Sequence, residues 1–166
     1  FIAIPSVSIR TPGDKPFGEE VDRAFRFMLE KAQNDGFETF NADNYGGHID
    51  FRGTGGEVMG ILGHIDVVPE GRDWDYEPYS ATVSDDRIYG RGAIDDKGPV
   101  IASYYAMKAL KSAGFKPDKT VRLILGLDEE TDWEGMEYYF TKARKPDFGF
   151  TPDGEFPAIH GEKGII

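Results

Sequence analysis

Cysteine is absent from this chain of 166 residues. Disulfides and thiolate zinc sites are therefore excluded, and any metal must be held by His, Asp and Glu. Apolar runs are short, and none approaches the roughly 20 residues that a membrane-crossing helix needs. Base is scarce beside acid: 19 Lys and Arg stand against 30 Asp and Glu, a formal charge of −11. That balance disfavours nucleic acid or an anionic membrane surface as a partner, because both require basic patches. Histidine is scarce too, with only His48, His64 and His160. The chain begins at Phe1 without an initiator Met, so its natural N-terminus is expected to be missing and no targeting signal is excluded. The working expectation is a cytoplasmic protein.

What is present suits one ordinary domain with a real core, at 39% hydrophobic and 30% charged residues. Phe17, Val21, Ala24, Phe25, Met28 and Ala32 recur at helical spacing, and Gly36 supplies a stop. The stretch from Phe37 to Val68 is strand-like and broken at the Gly53 to Gly56 turn. Its second half, Val58 to Val68, is almost wholly apolar, which predicts a strand covered on both faces. A long loop rich in aromatics and acids follows. A helix is then expected from about Pro99 to Gly114. Thr120 to Leu127 is a second buried strand. Thr131 and Glu134 have the spacing of a capping box for a helix carrying Met136, Tyr139, Phe140 and Ala143 on one face. Asp147 to Asp153 contains a third short strand. Alternation of strand and helix predicts an α/β fold, a mostly parallel sheet flanked by helices and joined by right-handed crossovers.

Open parallel sheets bind ligands beyond the carboxyl ends of their strands. The first predicted strand runs out at His64 and Asp66, the second at Glu129 and Glu130, the third at Asp153. Asp95 stands in the glycine-rich turn "GRGAIDDKG" that opens the first crossover helix. These six residues are expected on one rim. The tetrapeptide GHID occurs twice, at Gly47–Asp50 and at Gly63–Asp66. Only the second copy ends a buried strand, and there the two-residue offset turns Asp66 to the side of His64. A carboxylate in that position can accept the second imidazole N–H and fix the tautomer. His48, in the first copy, reads as structural or surface, as does His160. The adjacent carboxylates of "DEE" suggest a division of labour between a metal ligand and a proton carrier, with Asp128 facing away.

Together, "GHIDVVP", "GRGAIDDKG", "LDEE" and "TPDGEFP" resemble, in this order and spacing, the di-zinc exopeptidase and deacylase family, and most nearly its bacterial dipeptidases. The resemblance implies that His64 and Asp153 hold one Zn²⁺, that Glu130 holds the other, and that Asp95 bridges them. It implies further that Asp66 orients His64 and that Glu129 is the general base. A cis peptide after the bridging aspartate is implied as well. With only oxygen and nitrogen donors, Co²⁺ or Mn²⁺ are plausible substitutes for Zn²⁺. The implied reaction is hydrolysis of a small peptide by a metal-activated water whose proton Glu129 accepts and delivers to the leaving amine.

The family's members are longer, and their last ligand histidine lies far downstream. The chain is therefore expected to be the N-terminal portion of a catalytic domain, without the lid domain, binding the second metal poorly and turning over little by itself. An N-acyl-amino-acid deacylase or desuccinylase would use the same centre and is the alternative enzyme. A Ca²⁺-binding interaction module is disfavoured, because such sites draw clustered acids and carbonyls from one loop. Three readings stay open. Trp74, Tyr76 and Tyr79 either wall the site or, more in keeping with loop aromatics, pack the long loop. The Lys97 ammonium either neutralises the acid cluster, the favoured reading, or is solvated. Gly90, Gly92 and Gly98 allow tight backbone passage near the metals.

Overall fold

The computed structural model describes residues 1–154; His160 lies outside them. In chain order the elements are α1 (Glu19–Asn34), β1 (Glu38–Asn41), β2 (Gly47–Phe51), β3 (Val58–His64), β4 (Thr82–Ser84), β5 (Arg87–Tyr89), α2 (Lys97–Ser112), β6 (Thr120–Gly126), α3 (Glu134–Lys142) and β7 (Phe148–Phe150). Five strands form one sheet in the order β1-β2-β6-β3-β7. β3 is parallel to both of its neighbours, β6 and β7. β2 is antiparallel to β1 and to β6, so every strand of this sheet except β2 points the same way. The mostly parallel architecture expected from the alternation of elements is the one observed.

Strand periodicity sorts the side chains into two layers. Leu123 and Leu125 of β6 join Ile49, Phe51 and Ile61 in a core covered by α1 and α2, where Phe25, Met28, Val100 and Tyr104 are buried. Ile124, between the two leucines, points to the opposite face and packs with Ala42, Met136 and Tyr139 under α3. Full burial of a Leu or Ile side chain is worth about 1.5–3 kcal/mol, so truncating Leu123, Ile124 or Leu125 of β6, all at 2% exposure or less, costs the fold heavily. The crossover β3-α2-β6 and the return β6-α3-β7 use opposite faces, which is how right-handed connections place strands on both sides of β3.

Two local expectations are corrected. Thr131 and Glu134 do not form a capping box: Trp133 is the cap residue, in the left-handed region at φ 59, with no side-chain cap bond. The first turn of α3 is tied instead by Asp128, whose carboxylate oxygens accept the Gly135 N–H at 3.1 and 3.0 Å. A buried carboxylate at a helix N-terminus answers the same unpaired donors that a capping box would. The long loop is also not featureless. Thr82 to Tyr89 folds into the β4–β5 hairpin, whose turn residues Asp85 and Asp86 both have positive φ, 50 and 59, as a tight two-residue hairpin turn requires.

Candidate metal centre

The ends of β3, β6 and β7 lie on one rim, and the chain emerging from each delivers acid there. His64 closes β3 at 1% exposure. Its Nε2 lies 2.9 Å from Asp95 Oδ1, 3.4 Å from Asp153 Oδ2 and 3.9 Å from Glu129 Oε2. His64, Asp95 and Glu130 can each offer a donor atom within 4.8 Å of the others, and so can His64, Asp96 and Asp153. Donors at Zn–N and Zn–O distances of about 2.0–2.1 Å around a tetrahedral ion are about 3.3 Å apart, so the His64 contacts have the right scale for an ion between them. All six residues singled out in the sequence converge here, although nearly ninety positions separate His64 from Asp153.

Asp66 is fully buried and serves three groups. Oδ1 lies 3.3 Å from His64 Nδ1. Oδ1 also accepts the Glu129 N–H at 3.2 Å, while Oδ2 accepts the Glu130 N–H at 3.1 Å. The carboxylate thus fixes both the ring that ends β3 and the backbone that follows β6. His64 Nδ1 additionally lies 3.1 Å from the Asp66 carbonyl oxygen.

Asp96 joins the cluster as a member beyond those six. It is fully buried, its Oδ2 accepts the His64 backbone N–H at 3.0 Å, and its Oδ1 has no hydrogen-bond partner. Its neighbour Asp95 presents a side chain that is 54% exposed, with Oδ1 against His64 Nε2. The Asp95–Asp96 peptide is cis. A clue was available in the apolar company of "IDDKGPV": an acid beside residues that open a buried helix is itself a candidate for burial.

Electrostatics follow from this crowding. Burial alone would lower the His64 pKa, but the Asp66, Asp96 and Glu129 carboxylates outweigh it and raise it to about 10. Burial pushes the Asp96 carboxyl up to about 7, and the neighbouring Asp153 and Asp95 add to that. Glu129 and Glu130 are raised by burial and by adjacent carboxylates. Burial lowers the Lys97 pKa to about 8 and the Asp66 charge opposes that fall, so Lys97 is not solvated and offsets part of the cluster's charge. It is 1% exposed, donates from Nζ to the Ile4 carbonyl at 2.6 Å and sits over the Phe1 ring. Among the described residues it makes no ion pair. An excess of carboxylate around one imidazole, only partly offset by one ammonium, is the donor chemistry of a hard or borderline dication.

The remaining candidates fall outside this rim. His48 is a buried structural residue: Nδ1 is 2.7 Å from the Tyr139 hydroxyl, and burial lowers its pKa to about 4. Beside it, Asp50 and Arg122 form a bidentate pair at 2.9 and 2.9 Å. The loop aromatics pack within their own segment. Trp74 Nε1 donates to the Glu70 carbonyl, Tyr79 to the Glu70 carboxylate, and Tyr76 lies against Tyr89. Gly92, at φ 85 with Lys97 Cδ and Val67 Cγ1 each 3.1 Å from where a Cβ would sit, supports the reading of tight passage.

A rim of histidine and carboxylates at the carboxyl ends of parallel strands defines a metallohydrolase-like centre. The chain matches Peptidase family M20/M25/M40 over residues 60–164, more than half its length, and belongs to that family of metallopeptidases. It is 47% identical over 169 aligned residues to the protein of Bacillus subtilis named "Putative dipeptidase YtjP", covering 100% of this chain and 36% of that one. The similarly named SSP1012 of Staphylococcus saprophyticus is 46% identical, with 94% and 33% covered. This chain thus spans about a third of the length of these relatives. Among solved structures, human carnosine dipeptidase 1 superposes with a TM-score of 0.78 at 25% identity, covering 92% of this chain and 36% of that one. The M20 metallo-carboxypeptidase Sso-CP2 of Sulfolobus solfataricus has the same fold, with a TM-score of 0.71, 23% identity and coverages of 93% and 35%.

Proposed function

We propose that this chain carries part of the catalytic centre of a metal-dependent dipeptidase, with zinc as the metal and Co²⁺ or Mn²⁺ as workable substitutes. The observation that carries the reading is the gathering of His64, Asp95, Glu130 and Asp153 on one rim. Relatives and a structural neighbour bearing dipeptidase names support the substrate class.

His64 and Asp153 would hold one ion and Glu130 the other, and Asp95, half exposed with Oδ1 2.9 Å from His64 Nε2, would serve as the shared ligand. When bound, the ions polarise the scissile carbonyl and acidify water. Glu129 accepts the proton at its carboxylate and returns it to the departing amine. Burial and neighbouring carboxylates raise its pKa, which favours a group that must both take and give a proton near neutrality. Asp66 holds the His64 ring and the Glu129–Glu130 backbone, so ligand and base keep their spacing.

A catalytic zinc usually has three protein ligands. One site reaches three with His64, Asp153 and Asp95; the other reaches only two, Glu130 and Asp95. A further donor for the second ion is expected from outside these elements, and the 166 residues by themselves should hydrolyse little. The test is an activity panel on the full-length enzyme with dipeptides, carnosine among them, against N-acyl amino acids, after chelation and again after Zn²⁺ addition. Zinc-restored cleavage of dipeptides in preference to N-acyl amino acids is expected; the reverse preference would assign a deacylase.

A further inference from the structure

Building on the metal centre described above, we propose that Asp96 is a positioning residue for that centre, acting through the main chain of His64 rather than as a ligand. The two consecutive aspartates grip one histidine from different sides. Asp95 Oδ1 meets the ring at Nε2, 2.9 Å away, and Asp96 Oδ2 accepts the backbone N–H at 3.0 Å.

The second bond fills a gap in the sheet. Backbone donors along β3 alternate between its two neighbours. The Ile65 N–H goes to Gly126 O on the β6 side at 3.0 Å, so the N–H of His64 faces the other way, towards β7. That strand stops at Phe150, opposite Ile61, and offers no carbonyl at the level of His64. The Asp96 carboxylate takes the place of the missing strand. A buried N–H left unpaired there would be destabilising and would free the last residue of β3 to shift.

Two features mark the arrangement as built. Gly63, just before the ligand, has no room for a side chain: a Cβ there would stand 2.7 Å from Asp96 Oδ2 and 2.6 Å from Val100 Cγ2. The Asp96 carbonyl also accepts the Val100 N–H at 3.0 Å in the first turn of α2. The residue therefore couples the start of α2, which presents Asp95, to the end of β3, which presents His64. Asp96 Oδ2 is committed to the His64 N–H, while Oδ1 is unpaired and within donor reach of His64 and Asp153, so ligation through Oδ1 is the alternative that the test must separate from positioning.

The test compares wild type, Asp96→Asn and Asp96→Ala in the full-length protein. Zn²⁺ affinity is measured by chelator competition, Co²⁺ geometry by visible absorption, and folding by melting of the metal-stripped proteins. An Asn carbonyl still accepts the His64 N–H, so Asp96→Asn should bind Zn²⁺ at least about tenfold more tightly than Asp96→Ala, the scale on which partners of metal ligands act. It should also keep the wild-type Co²⁺ band shape, which Asp96→Ala should lose. Equal, large losses in both variants would overturn the proposal in favour of ligation or charge. Unchanged affinity in both would overturn it in favour of a purely structural residue. If Asp96→Ala does not fold, Asp96→Asn decides alone: affinity within about threefold of wild type supports positioning, and a loss beyond about tenfold overturns it. A wild-type protein that binds neither ion would defeat the metal centre itself, an outcome distinct from the others.

Discussion

Asp66 Oδ2 accepts the backbone N–H of Glu130 at 3.1 Å across 64 positions of sequence. The same side chain lies 3.3 Å from His64 Nδ1, so one buried carboxylate sets the spacing between the strand-end histidine and the two glutamates.

Replacement of Asp66 by Asn tests that arrangement. An amide has a single acceptor oxygen and cannot serve both N–H groups and the imidazole. Zn²⁺ affinity should fall about 10–100-fold, with a loss of activity at saturating metal as Glu129 shifts. Titration of the variant with Zn²⁺, followed by kinetics at saturation, checks both. Full recovery of kcat at high Zn²⁺ would show that Asp66 acts on the histidine alone.

Glu129 and Glu130 should separate cleanly. Glu129→Gln should lower kcat by about 10²–10⁴-fold while metal content stays that of wild type. Glu130→Gln should lose one equivalent of metal. Elemental analysis beside kinetics distinguishes them, and a Glu129 variant depleted of metal would contradict the division of roles.

How much of this was legible in the sequence varies with the kind of interaction. The strand-end residues could be read because apolar runs announce where buried strands stop, and parallel strands stop on a common rim. β6, with Leu123, Ile124 and Leu125, and α1, with its stripe from Val21 to Ala32, were visible for the same reason. The cap of α3 was misread because Thr131 and Glu134 satisfy a local pattern, whereas Asp128 wins by being buried beside Gly135, which local spacing does not encode. Lys97 was legible only in part, because a formal charge beside acids suggests a direct ion pair, while its ammonium follows its buried stem to Ile4 and meets Asp66 through its field alone. The bond from Asp96 to the His64 main chain was not legible, since nothing local says that β7 ends short of His64.

The buried pair of Asp50 and Arg122 lies on the α3 face, away from the rim. Asp50→Ala strands the guanidinium at 7% exposure and should destabilise the fold by about 3–5 kcal/mol. Zn²⁺ affinity of the folded fraction should be unchanged. Denaturant unfolding with parallel metal titration checks this, and weakened Zn²⁺ binding would reveal coupling between the two layers.

His48 predicts a specific acid sensitivity. Its pKa is lowered from 6.5 to about 4 in the folded protein, so the unfolded chain takes up a proton that the folded one refuses. Its contribution to stability is complete above pH 6.5 and is lost as pH falls towards 4, about 2 kcal/mol by pH 5. His48→Gln removes the titrating group. Urea unfolding of the metal-stripped proteins at pH 7 and pH 5 should show a smaller acid loss in the variant; identical losses would remove His48 from the account.

The central claim is that four distant side chains grip metal at one rim. Anomalous diffraction at the zinc edge, from crystals of the full-length protein grown with Zn²⁺, tests it most directly. The account predicts peaks about 2.0–2.2 Å from His64 Nε2 and from carboxylate oxygens of Asp95, Glu130 and Asp153. Zinc bound elsewhere on the protein, with this rim left bare, would contradict it.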